Sequence, residues 1–138
     1  MELDIELMGG KKVNAIFNGF TIATDAPKAA GGEGTAPSPT ALLLASIGTC
    51  AGFYIQFFCE KHGISKDKVE LKVRSENDQT SGLIGRIVVH IEVTEDFPEK
   101  YLNAIRSAAD VCVVKKNIQN HPVIDVLLNR ADGGSAAP

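Results

Sequence analysis

The sequence predicts an α+β fold whose elements run in the order three strands, a long helix, two strands, a second helix and a final strand. Three observations predict it. Residues 41–59, ALLLASIGTCAGFYIQFFC, form the longest apolar run in the chain and are too many for one strand. The segments on either side of that run alternate apolar and polar side chains with the period of two that half-buried strands require. Past residue 100, Leu102, Ile105, Ala109 and Cys112 recur at helical spacing. Elements that each bury one face pack as helices on antiparallel sheets.

Over residues 2–25 the apolar set is Leu3, Ile5, Leu7, then Val13, Ala15, Phe17, then Phe20 and Ile22, punctuated by Gly9-Gly10 and Asn18-Gly19. This predicts three antiparallel strands, the last two joined by a tight Asn-Gly turn. Residues 26–37, APKAAGGEGTAP, have no periodicity and form a loop that delivers the chain to the long helix. Ser38 supplies its N-cap hydroxyl and Pro39 its first position, while Lys61, His62 and Gly63 supply the cations and left-handed terminator of its end. The result is a helix of about six turns, ~35 Å long, with Cys50 near its middle. Val69, Leu71 and Val73, then Ile87, Val89, Ile91 and Val93, mark two further strands. Asp96 followed by Glu99 predicts an acidic N-cap for the second helix, which is expected to run without interruption past Cys112 to Lys116 and stop before His121-Pro122. A short strand over residues 123–128 completes a single domain of residues 1–130, and residues 131–138 form a disordered tail.

Composition narrows the function. A net charge of −3 without a basic cluster excludes a nucleic-acid partner. Ser46, Thr49 and Gln56 interrupt the apolar run, so it is assigned to a protein core rather than a membrane, and the acidic start Glu2-Leu3-Asp4 excludes a secretory signal. A cytoplasmic protein is expected. A helix apolar nearly all round must be buried on every side, and 138 residues are too few to cover it from one copy, so a homo-oligomer is expected. The three cysteines form no disulfide framework. No cysteine or histidine spacing suits a metal, no glycine pattern suits a phosphate, and no cofactor is expected. His62 caps the long helix, His90 faces solvent from a strand, and His121 before Pro122 is structural.

The face of the long helix around Cys50 carries Leu43, Ser46, Ile47, Phe53, Tyr54 and Phe57, an apolar lining suited to an organic ligand. Taken from the residues alone, Cys50 is a small core side chain, because burial raises a thiol's pKa and a reactive thiolate needs a compensating charge. Cys59 lies about 900° further round the axis, on the opposite face, and is inert. The small residues Ala41, Ala45, Gly48 and Gly52 form a stripe that would let another helix approach closely.

The stretch GGEGTAPSPTALLLASIGTC, ending at Cys50, resembles the GG…G..PSP..LLLA.LG.C signature of the OsmC/Ohr superfamily, the osmotically induced and organic hydroperoxide resistance proteins. AADVCVVK, centred on Cys112, resembles that family's second-helix motif, and the element order agrees over nearly the whole chain. The resemblance implies an intertwined homodimer in which antiparallel sheets of both copies wrap the long helices. It also implies a peroxidatic site at the dimer interface, with Cys50 attacking a hydroperoxide, Cys112 resolving the product as a disulfide, and a dithiol reductant restoring both thiols. Active members carry an arginine on the N-terminal strands and a glutamate after the helix-initiating proline. Here no arginine precedes Arg74 and the sequence reads Pro39-Thr40-Ala41, so Lys11 or Lys12 is the expected substitute for the arginine and Glu33 for the glutamate. The family's proline after the second cysteine is replaced by Val113. These departures bring the chain closer to the less characterised OsmC-like branch. A thiol-dependent reduction of organic hydroperoxides in oxidative stress defence is the expected function. A non-catalytic dimer that binds a small hydrophobic ligand in the same interface is the alternative.

Overall fold

The computed structural model describes residues 1–129, with the predicted α+β order through the second helix. Strands β1 (Asp4–Gly9), β2 (Lys12–Phe17) and β3 (Phe20–Asp25) form an antiparallel meander. Asn18 and Gly19 turn the second hairpin with φ of 47° and 80°, the left-handed pair that keeps Phe17 opposite Phe20. After the loop comes α1 (Pro39–Lys61), which starts where Ser38 Oγ accepts from the Ala41 N–H and ends at His62 before left-handed Gly63. Strands β4 (Val69–Asn77) and β5 (Ile84–Val93) pair in a register that sets Leu71 against Ile91 and Val73 against Val89.

The core is one stripe of α1 closed by β4, β5 and α2 (Leu102–Asp110). Ile47, Ala51, Ile55 and Cys59, one helical turn apart, are buried, and Phe97 and Ile105 join them below Phe58, Leu71, Ile91 and Tyr101. The rest of α1 is uncovered within one chain: Leu43, Phe53 and Phe57 are exposed. α1 is long and apolar enough to cross a membrane, but its buried stripe is the centre of a folded domain.

Four expectations change. Asp96 does not cap the second helix. Phe97 is buried and Pro98 keeps the chain extended, so helical structure begins one turn later, at Glu99, without a side-chain cap, while Asp96 accepts from Lys68 Nζ at 2.6 Å. The second helix is also not continuous: α2 stops at Asp110, and α3 (Val113–Gln119) begins afresh with Cys112 as its N-cap. Val111, Val113 and Val114 are β-branched and propagate a helix poorly, and the Cys112 sulfur accepts the Lys115 N–H at 3.3 Å. The small-residue stripe meets a strand instead of a helix, with Gly48 against Val73 of β4 and Gly52 facing open space. Finally, residues 123–128 pair with no strand among the described residues, and Val123, Ile124, Val126, Leu127 and Leu128 all stand exposed. The predicted tail at 131–138 lies outside the described residues.

Candidate active site

Three elements converge on Cys50. α1 presents the side chain from its middle, on the half-buried flank between the core stripe and the exposed phenylalanines. The break between α2 and α3 turns the chain so that Cys112 and the first amides of α3 face it. Cys112 itself is only 1% exposed, with its Sγ 3.9 Å from the Ile47 carbonyl oxygen one turn before Cys50. Both thiols are free.

The electrostatics separate the two sulfurs. Burial pushes the Cys50 thiol up, but the Val114 N–H, the Cys112 side chain and the Val113 N–H together outweigh it and hold Cys50 below the ordinary cysteine range. Cys112 moves the other way: burial raises it, the Lys115 N–H offsets part of that, and hydrogen bonding and repulsion from Cys50 raise it further. Cys50 is therefore the more acidic thiol of the pair and Cys112 the less acidic one. Cys59 lies in the core, where burial and then the Glu60 charge raise its pKa, as its position opposite Cys50 requires.

Lys11, Lys12 and Glu33 gather elsewhere in the chain. Lys12 Nζ and Glu33 Oε2 form an ion pair at 2.6 Å, and Lys11 Nζ donates to the Ala30 carbonyl. This cluster is organised by Asp25, which is buried at the end of β3 and accepts both the N–H and the hydroxyl of Thr35 at 2.9 Å. The Thr35 N–H holds its carboxyl below the usual range against burial, with help from the Thr35 hydroxyl and the Glu33 and Ala26 amides. Within one chain, none of the three predicted supporting residues is among the groups that act on Cys50. Sequence reasoning missed the groups that do, the Val113 and Val114 amides. The signal was available in the valine-rich run around Cys112, which breaks the helix and frees those amides.

The family described as OsmC-like protein matches residues 32–127. The chain belongs to the OsmC-like family. The match spans the loop, α1, both later strands and α2–α3, and so includes both cysteines. Among solved structures, the OsmC-like fold is shared with a protein from Psychrobacter arcticus 273-4 assigned to the osmotic stress induced and detoxification response. The TM-score is 0.73 at 24% identity, over 87% of this chain and 88% of that one. An OsmC like protein from Mycoplasma pneumoniae aligns at TM-score 0.65 and 21% identity, over 86% and 88% of the two chains. The organic hydroperoxide resistance protein OhrB of Bacillus subtilis aligns at TM-score 0.52 and 22% identity, over 84% and 89%. No curated protein matches the sequence.

Proposed function

We propose that this OsmC-like chain reduces organic hydroperoxides through Cys50, acting as a homodimer in the cytoplasm. The reading is carried by the paired thiols: Cys50, made the more acidic by the α3 amides, with Cys112 beside it. The Cys50 thiolate attacks the terminal peroxide oxygen, the O–O bond breaks, the alcohol leaves with a proton, and Cys50 becomes a sulfenic acid. Cys112 then attacks that sulfur, water leaves, and a Cys50–Cys112 disulfide forms before further oxidation. A dithiol reductant returns both residues to thiols. The exposed Phe53 and Phe57 near Cys50 favour an organic peroxide over a polar one. Lys12, paired with Glu33, is the cation proposed to reach the site from the partner copy in place of an arginine.

The test is treatment with cumene hydroperoxide followed by mass-spectrometric mapping of the thiols. A linked Cys50–Cys112 peptide and alcohol formed in equal amount support the peroxidase, and Cys50→Ser must abolish both. Unmodified Cys50 under excess peroxide rejects it and leaves the reading of a dimer that binds a small hydrophobic ligand.

A further inference from the structure

Phe53 and Tyr54 follow Cys50 by three and four positions, so on α1 they stand on either side of it, one turn nearer the C-terminus. Adjacent residues of a helix point about 100° apart. Here the two rings nonetheless meet edge to face with centroids 5.6 Å apart, so both turn into the gap between them, which Cys50 occupies one turn earlier. Long side chains of a helix also lean toward its N-terminus, over the residue four positions before, which for Tyr54 is Cys50. The other polar side chains of this part of α1 are engaged. Ser46 Oγ donates to the Leu43 carbonyl at 2.7 Å, Thr49 Oγ1 to the Ala45 carbonyl at 2.8 Å, and Gln56 Nε2 to Glu60 at 3.0 Å. Half-buried Tyr54 is the exception, with a hydroxyl that donates to nothing among the described residues. The Val114 and Val113 amides serve the sulfur, and no cation of the same chain is among the groups that act on it. The oxygen that leaves a bound peroxide needs a donor of its own.

We propose that Tyr54 is a catalytic residue: its hydroxyl hydrogen-bonds the carbon-bound oxygen of a hydroperoxide held at Cys50 and gives that oxygen its proton as the alcohol leaves. This rests on the peroxidase reading of Cys50 and adds the acid that the reaction requires. The Cys50 thiolate bonds to the terminal oxygen, which keeps its hydrogen, while the O–O bond breaks and its electron pair departs on the carbon-bound oxygen. Sulfur is oxidised and the peroxide reduced by two electrons. The developing alkoxide takes the phenol proton, because a phenol is a stronger acid than an aliphatic alcohol, and the phenolate recovers a proton from water. A donor aimed at charge that appears only as the bond breaks accelerates the step, whereas one that bound the intact peroxide equally well would not.

The experiment compares Tyr54→Phe, which keeps the ring beside Phe53, with the wild type toward three reagents at neutral pH, following the loss of unmodified Cys50 by acid quench and mass spectrometry. Cumene hydroperoxide expels an alkoxide that needs a proton, peracetic acid expels acetate, which needs none, and iodoacetamide reports on the thiolate alone. The substitution is expected to slow cumene hydroperoxide by about tenfold or more and to leave the other two rates within about twofold. Slowing of both peroxides by the same factor, with or without iodoacetamide, denies Tyr54 the proton transfer, and an undiminished rate with cumene hydroperoxide removes it from the reaction. Either result overturns the proposal and leaves the peroxidase reading standing. Wild-type Cys50 that is alkylated by iodoacetamide but untouched by cumene hydroperoxide overturns both.

Discussion

Cys50 is reactive or inert according to what a few backbone amides do to its charge. Because its folded pKa lies below the ordinary value, the thiolate persists at a pH where a free thiol is protonated, and its alkylation should rise with pH earlier than that of a free cysteine. Cys112→Ala removes one of the lowering interactions but leaves the Val113 and Val114 amides. Iodoacetamide kinetics across pH should therefore show the Cys50 profile displaced upward by part of its shift, and an unmoved profile would exclude Cys112 as a contributor. Asp25 gives a second prediction. Its depressed pKa contributes stability that is present above the unfolded-state carboxylate value and is lost as pH falls through the folded value. Asp25→Asn should lower the denaturation midpoint at neutral pH, and the gap to the wild type should close in acid. A gap independent of pH would assign Asp25 a purely steric role. The sequence motif made Cys50 and Cys112 visible, whereas Asp25 looked like the ordinary end of a strand, because only the folded loop brings Thr35 back to it.

Local signals served best where a boundary depends on neighbouring residues. The Ser38-Pro39 start and Gly63 end of α1 and the Asn18-Gly19 turn were legible because capping and left-handed backbone are properties of the residues themselves. The start of α2 and the break before α3 were not, because buried Phe97 overrode the acidic cap and the helical stripe through Leu102, Ile105 and Ala109 concealed the weak propagation of three valines. Gly48 makes the same distinction testable. Its smallness was evident, but not that a strand would use it. A Cβ there would lie 2.7 Å from Val73 Cγ2, and valine on a paired strand has little freedom to yield. Gly48→Ala should destabilise the protein by about 1–3 kcal/mol in chemical denaturation. Adding Val73→Ala should make the pair of substitutions less destabilising than their sum. Strict additivity would mean that the two sites do not press on each other.

The chain as a whole is too open to be a finished particle. It exposes 10698 Å², whereas a compact monomer of its mass exposes roughly 7,000 Å². The apolar share of that surface is concentrated on Ile5, Leu7 and Phe20 of the first sheet, on Phe53 and Phe57 of α1, and on residues 123–128. A second copy that covers these surfaces is the proposed remedy, and sedimentation at low micromolar concentration should detect dimers without folded monomer. A folded, stable monomer would refute it. The open first sheet has a further consequence in time. β1, β2 and β3 contact chiefly one another within the chain, so their final packing must await an encounter between two chains. Refolding from denaturant should therefore contain a step whose half-time shortens as protein is added, and at high dilution the chains should accumulate with α1 still accessible to a hydrophobic dye.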